Sequence, residues 1–356
     1  MTHRFLSRKQ YDLAIIGGGP AGLAVALAAC HKGFRVAVVE AGRPPLDKAC
    51  GEGLMVDSLA ALRQLGVHLT AEDGVPFKGI RFVGANHTVE AGFPGGVALG
   101  VRRTTLHSRL VERAESAGIE MHWGSPLCGL EKDQVICRDT RLGARWIIGA
   151  DGLNSSVRRL AGLNHFVWNR QRVGMRRHFA VEPWSDYVDV HWGAGCQCYV
   201  TPTGPKEVSV AFLCRKEQAC FGDLLRAFPE VADRVRDARP TSRVRGGLTA
   251  LRKFRRVYKD NVVLVGDAAG SVDAITGQGI GLAFQQALAL VEALTTEDLS
   301  WYQRRFAAIM RRPMLMGAAL ILLGECGRAR EVLMRLLADR PANFERLLAL
   351  HVGYPR

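Results

Sequence analysis

Six residues near the start of the chain, Gly17-Gly18-Gly19-Pro20-Ala21-Gly22, carry a spacing with a specific chemical use. Gly17, Gly19 and Gly22 satisfy G-x-G-x-x-G, with Pro20 and Ala21 between them. In such a strand-to-helix turn the first glycine permits the tight reversal and the second lets a pyrophosphate approach the backbone. The third lets helix and strand pack closely. The helix that follows turns unpaired N–H groups and a positive dipole end toward the phosphates. Glu40, 18 residues after Gly22, falls at the end of the next strand, where a carboxylate accepts from the hydroxyls of an adenosine ribose. This chemistry is dinucleotide binding. Nicotinamide and flavin dinucleotides both use the unit, so these residues alone do not choose between them.

The choice comes from far downstream. Gly149-Ala150-Asp151-Gly152 runs on to Ser155, Ser156, Val157 and Arg158. Val265-Gly266-Asp267-Ala268-Ala269-Gly270 is followed by Thr276-Gly277-Gln278-Gly279-Ile280. The three motifs, in this order and near these spacings, resemble those of the para-hydroxybenzoate hydroxylase-like superfamily, over residues 10 to about 295. That superfamily also holds geranylgeranyl reductases and flavin-dependent halogenases. The resemblance implies a non-covalently bound FAD. It sets Asp267 at the ribityl–pyrophosphate region, where a carboxylate binds hydroxyls directly or through water. Gly277, Gln278, Gly279 and Ile280 would open a helix whose positive end faces the flavin N1/C2=O edge, which carries negative charge when reduced. Asp151 would stand near the pyrophosphate. Arg103, in Arg103-Thr104-Thr105-Leu106, matches a superfamily arginine that touches FAD; the alternative is an ordinary solvated arginine at a helix start.

Which flavin reaction follows is less sharply written. Lys48-Ala49-Cys50-Gly51-Glu52-Gly53-Leu54 resembles the cysteine-glycine loop beside the isoalloxazine of geranylgeranyl reductases, and Thr276-Gly277-Gln278-Gly279-Ile280 is similar to their T-G-E-G-I. Cys50 is then a catalytic candidate, or simply a small residue where the ring passes. Against this stands the wall that holds the lipid in those reductases, Y-x-W-x-F-P. Here it reads Gln197-Cys198-Tyr199-Val200-Thr201-Pro202, with two aromatic positions polar. Losing that apolar area costs a prenyl chain several kcal/mol at about 25 cal/mol per Å². A polar wall suits a phenolic or quinone-like ring. The expected activity is therefore an NAD(P)H- and O2-dependent monooxygenase acting on an aromatic or polyketide-like, hydrophobic small molecule, with Tyr199 as the second catalytic candidate. His178 and His191 lie on the same predicted sheet. Reduction of isoprenoid double bonds is the alternative, and a non-catalytic flavin-binding protein the alternative of another class. The W-x-W-x-I-P signature of the halogenases is absent.

The elements that must position these residues follow from hydrophobic periodicity. YDLAII (11–16), a helix with a small-residue face over 22–31 and RVAVVE (35–40) make a right-handed βαβ unit. A helix is expected over 103–117, a returning strand over 119–123, and a buried parallel strand over 261–265. Between 166 and 250 the pattern changes to strand-like alternation, which predicts an antiparallel sheet. The expected fold is α/β: a Rossmann-type FAD-binding domain (10–75, 101–165, 251–300), an inserted antiparallel-sheet substrate domain (76–100, 166–250) and a C-terminal helical segment (301–356).

Composition is that of a globular protein, with 48% hydrophobic and 23% charged residues in 356. The net charge of +14 favours anionic partners, but no nucleic-acid motif accompanies it, so no specific nucleic-acid partner is expected. Nine cysteines without a C-x-x-C pair offer neither a disulfide framework nor a metal site, which fits a cytoplasmic setting. The N-terminal MTHRFLSRKQ lacks the apolar core of a signal peptide. The longest apolar run, Met314–Gly324, is short of the ~20 residues that span a bilayer. From residue 300 onward ten arginines face four acidic residues in an amphipathic pattern. It reads either as an ordinary packed helix pair or as a peripheral contact with anionic membrane. NADH or NADPH preference, substrate and oligomeric state are left open at this level.

Overall fold

The structure, a computed structural model, describes residues 10–215 and 220–353. The signal-peptide reading of the N-terminus falls almost wholly outside them, as do the last three residues of the C-terminal segment.

Leu13, Ala14 and Ile15 in the strand Gln10–Ile16 are fully buried, as an inner strand covered on both faces must be. It pairs in parallel with Val36–Glu40 on one side and Arg141–Gly149 on the other. Glu120–Trp123 extends the sheet beyond Val36–Glu40, and Val262–Leu264 extends it beyond Arg141–Gly149, both in parallel. The helices Pro20–His31 and Gly279–Thr295 pack against one another, alanines and glycines on both bringing their backbones close. Gly22 lets the first of these helices close onto the turn before it: a Cβ there would sit 1.8 Å from the Gly17 carbonyl oxygen.

A second sheet of eight strands runs in the order Gly270–Ser271, Arg245–Phe254, Phe166–Phe179, Glu207–Cys214, Cys196–Gly204, Tyr187–Trp192, Gly79–Val83 and Thr88–Gly92. It departs from the expected wholly antiparallel pattern at one place. Tyr187–Trp192 pairs in parallel with Gly79–Val83, because these segments meet after a long excursion of the chain rather than through a hairpin. The period of two divides the sheet's faces. Cys196, Cys198 and Val200 join Phe212, Phe221 and Phe228 in a core of their own. Gln197, Tyr199 and Thr201 point the other way, toward the first sheet's loops.

Three helices close the chain: Leu299–Glu325, Gly327–Asp339 and Pro341–His351. Asp298 caps the first by accepting from the Trp301 amide at 2.9 Å. The apolar run that looked too short is part of a 27-residue helix, which is long and apolar enough to cross a membrane by length and composition alone. Arg311-Arg312-Pro313 reads as the run's boundary in sequence, yet the helix passes through it with the arginines exposed and the proline buried. Only 28% of its most apolar 18-residue window is buried.

Candidate functional site

The parallel pairing of Gln10–Ile16 with Arg141–Gly149 carries the first two motifs to one sheet edge. Gly17 has φ of +112°, and a Cβ on it would lie 2.3 Å from the Ala150 carbonyl oxygen. The Gly17–Gly22 turn therefore sits directly on Ala150-Asp151. Gly19 is different: an added Cβ would meet nothing within 4 Å, so internal packing does not demand glycine there, whereas close approach of a ligand does. Pro20 begins the helix behind it, and Ala21 packs under Gly266 of the third motif. Asp151 Oδ2 accepts from the amides of Ser156 (2.7 Å) and Val157 (3.1 Å), while its buried Oδ1 has no partner among the described residues. Glu40 Oε2 accepts from the Gly18 amide and Oε1 from the Gly42 amide, each at 2.8 Å. That fixes the carboxylate at the strand end, with lone pairs left over for a ribose.

His107, a residue the sequence reading passed over, braces this turn from below. It is fully buried, with Nε2 2.8 Å from the Gly18 carbonyl oxygen and Nδ1 accepting from the Leu46 amide at 3.3 Å. One nitrogen must donate and the other accept, so the ring is neutral and protonated on Nε2. Burial holds its pKa below the ordinary 6.5. A base whose folded pKa is depressed contributes stability that is complete above 6.5 and lost as the pH falls below it. FAD release, followed by flavin fluorescence, is expected to rise as pH drops below 6.5 and to respond less steeply in His107→Gln. Identical pH profiles in the two proteins would remove His107 from this role.

The third motif meets the other two across a cleft. Asp267 is closely surrounded by protein, which pushes its carboxyl pKa up, while the charges of Lys48, Arg103 and Arg252 pull it down. Its side is nonetheless open to solvent, as are Gly277 and Gly279, so these residues line a deep cleft rather than fill a core. Gly277 needs its left-handed φ of +66° to turn the chain, and an added Cβ would also strike Met55 at 2.8 Å. Gly279 begins the helix Gly279–Thr295, with nothing within 4 Å of an added Cβ and with Ile280 tucked against the core behind it. Gln278 donates from Nε2 to the His351 carbonyl oxygen at 2.7 Å, and His351 Nε2 lies 2.8 Å from the Thr276 carbonyl oxygen. The last helix is thus tied to the turn that faces the cleft. Arg103 stands at the cleft with its Nε buried and without a partner among the described residues. Lys48, also missed, reaches across the same space: its Nζ comes within 3.6 Å of a Cβ added at Gly152. Its signal in the sequence is a lone cation in a glycine-rich loop.

The residues fit FAD: Glu40 would hold the adenosine, Gly19 with Lys48 and Arg103 the pyrophosphate, and Gly277–Gly279 the ring. The loop carrying Cys50 is locked in place by Glu52, which is 3% exposed with φ of +60°. Its Oε1 accepts from the Arg103 amide at 2.8 Å and its Oε2 from His178 Nε2 at 2.6 Å. Arg176 stands 3.5 Å from Glu52 Oε1 and pairs with Asp47, which also accepts from Arg245. Thr201 Oγ1 donates to the Gly51 carbonyl oxygen at 2.8 Å. Cys50 Sγ accepts from the Glu52 amide at 3.4 Å, its one hydrogen bond among the described residues.

The sheet wall separates the three predicted candidates. His178 is consumed by Glu52 and by Ser242, whose Oγ lies 2.9 Å from Nδ1. His191 lies on the sheet's far face, edge-on to Phe228 with ring centroids 6.5 Å apart. Tyr199 faces the cleft side, its hydroxyl buried without a partner among the described residues, and burial pushes its pKa upward. It keeps its phenolic proton and can donate it in a hydrogen bond.

Comparison with known proteins agrees with this geometry. The FAD binding domain family matches residues 10–212. Menaquinone reductase of Mycolicibacterium smegmatis is 27% identical over 338 residues, covering 86% of this chain and 81% of that protein. Rifampicin monooxygenase of Streptomyces venezuelae is 28% identical over 335 residues, covering 82% of this chain and 65% of that protein. A flavoprotein/dehydrogenase structure from Cytophaga hutchinsonii superposes with a TM-score of 0.83 at 19% identity, covering 96% of this chain and 93% of that one. At that identity the likeness shows the fold.

Proposed function

The chain belongs to the FAD binding domain family and is an FAD-dependent oxidoreductase; from that premise we propose that it is an NAD(P)H- and O2-dependent monooxygenase hydroxylating an aromatic or polyketide-like small molecule. The observation that carries this reading is the buried polar wall of Gln197, Tyr199, Arg172 and Asp273 beside the Ile275–Gln278 turn. A saturated or prenyl chain laid there would leave donors and acceptors unpaired at about 1–3 kcal/mol each. Bound FAD supplies the redox chemistry. The overall balance is ring C–H, O2, NAD(P)H and a proton going to ring C–OH, water and NAD(P)+. The protein's part is to hold the ring through Tyr199 and its neighbours, to fix the Cys50 loop through Glu52, and to shut out water with the last helix.

A second reading, reduction of an isoprenoid double bond, is favoured by the Cys50 loop, by Thr276–Ile280 and by the match to menaquinone reductase. There the balance is alkene, NAD(P)H and a proton going to alkane and NAD(P)+, with the Cys50 thiol or water giving the proton. Turnover with and without O2 separates the two. A hydroxylase stops in its absence, whereas substrate-dependent NAD(P)H oxidation that continues anaerobically sinks the monooxygenase reading. No substrate-dependent oxidation in either atmosphere indicates a flavin binder that does not turn over.

The C-terminal helices add a proposed contact with an anionic membrane surface, where a greasy substrate resides. Leu315 and Leu322 are 68% and 60% exposed and seven residues apart, hence on one helix face; Val332 and Leu336 are 49% and 52% exposed and four apart. Exposed Arg311, Arg312, Arg328 and Arg335 flank them. Each arginine near such a surface contributes about 1 kcal/mol, beside the burial of the leucines. The protein is expected to sediment with vesicles rich in anionic lipid and to lose most of that binding in a Leu315→Glu/Leu322→Glu variant. Indifference of the unmodified protein to such vesicles would discard the contact.

A further inference from the structure

Where the second sheet meets the turn before Thr276, more polar atoms are buried than the fold uses. Arg172, Asp273 and Gln197 are 7%, 0% and 1% exposed. Arg172 donates from one terminal nitrogen to Gln197 Oε1 at 2.8 Å, and the other lies 3.2 Å from Asp273 Oδ1. That oxygen also accepts from the Ile275 amide at 3.0 Å, which explains why an aspartate stands at the start of the turn. These contacts account for only half of the inventory. Arg172 Nε and Nη2, Asp273 Oδ2 and the Tyr199 hydroxyl remain buried with no hydrogen-bond partner among the described residues, Nη2 lying beside Asp273 Oδ1 as an ion-pair contact alone. They amount to three donors and one acceptor in one place. Left unsatisfied, each costs about 1–3 kcal/mol, and such groups are rarely kept unless something binds them.

The sheet beside them carries two small positions on one face, with Leu213 at their edge: a Cβ on Gly174 would lie 3.3 Å from its Cδ2. Gly174, between Arg172 and Arg176 on the same face of its strand, pairs across with Gly247, and Tyr199 pairs with Ala211. A flat ring can lie against that floor with its substituents reaching the polar end.

We propose that Arg172, Tyr199 and Asp273 form the recognition end of the substrate site and select an aromatic ring bearing two adjacent oxygens, at least one of them a hydroxyl. Arg172 and Tyr199 donate to the ring oxygens, and the hydroxyl donates to Asp273 Oδ2. A ring with one oxygen satisfies only part of the set. This inference rests on the reading that an oxygenated ring binds beside FAD, and it specifies which oxygens the site reads.

The test is equilibrium titration of the oxidised holoenzyme, without NAD(P)H, with 2,3-dihydroxynaphthalene and with 2-naphthol, read as perturbation of the bound flavin's absorbance. Because no turnover is involved, the result stands apart from whether the enzyme consumes O2. The diol is expected to bind at least tenfold more tightly than the mono-ol. In Asp273→Asn, which keeps an oxygen for the Ile275 amide, and in Arg172→Met, the diol's advantage is expected to shrink to less than threefold while 2-naphthol binds within twofold of its original affinity. Equal binding of the two compounds to the unmodified protein, absence of any flavin perturbation, or equal weakening of both compounds in the variants would each overturn the proposal.

Discussion

Replacing Gly19 with aspartate is expected to give a folded but colourless protein. A Cβ at this position meets no protein atom within 4 Å, so the substitution has room in the chain's own packing. The ligand is what it obstructs. The new carboxylate would stand where the pyrophosphate must come within contact of the helix N-terminus, and two like charges about 4 Å apart repel by about 4 kcal/mol at the effective dielectric of a protein surface. That corresponds to FAD binding weakened on the order of a thousandfold. The measurement is flavin content after purification together with a urea melt of the apoprotein. Normal flavin content in Gly19→Asp would sink the placement of the phosphates, and a collapse of the apoprotein melt would show that glycine serves packing instead. Gly22 makes the contrast. There a Cβ would lie 1.8 Å from backbone, and the fold itself is what glycine protects.

The second large effect is expected at Glu52. Alanine there takes one partner from each of His178 and Arg176, both 1% exposed, leaving them Ser242 and Asp47, and leaves the Arg103 amide without its acceptor. Removing one member of a buried ionic cluster costs about 3–5 kcal/mol, because the groups that remain are buried and only partly compensated. Glycine at the same position should lose about 1 kcal/mol less, since the φ of +60° is free for glycine and strained for alanine. Chemical denaturation of the three proteins measures both differences. An alanine variant within 1 kcal/mol of the original would mean that the cluster does not hold the loop.

These two residues illustrate what the sequence conveys and what it does not. Gly17, Gly19, Gly22, Asp151, Asp267 and Gly277–Gly279 are legible because their chemistry demands a residue type at a fixed local offset from a strand end. The structure brings all of them to one cleft. Glu52, His178, Arg176 and Asp47 are not legible, since their partnership spans more than a hundred residues and nothing local in a strand marks an arginine as buried. His107 is silent for the same reason. In sequence it is one more polar residue on a helix, and only its two backbone partners reveal its task. Tyr199 and His191 show the limit of strand alternation. They stand on neighbouring strands, so it is the pairing of His191 with Cys198 that puts them on opposite faces, and the packed partners of each face that say which one looks onto the cleft. The parallel neighbour of Tyr187–Trp192 could not be read either, because pairing between distant strands leaves no mark in either segment.

The nucleotide-binding sheet is assembled from both ends of the polypeptide. Its strand Val262–Leu264 and its covering helix Gly279–Thr295 arrive about 240 to 260 residues after the turn they complete. During synthesis the first βαβ unit leaves the ribosome with one flank uncovered, and it stays so until the distant half emerges. The eight-stranded sheet waits in the same way for the return of Gly79–Val83 to a partner about a hundred residues on. Such a layout favours slow, all-at-once assembly over stepwise growth. A fragment ending near residue 212 would hold two of the three glycine-and-carboxylate turns and yet lack the third that faces them across the cleft.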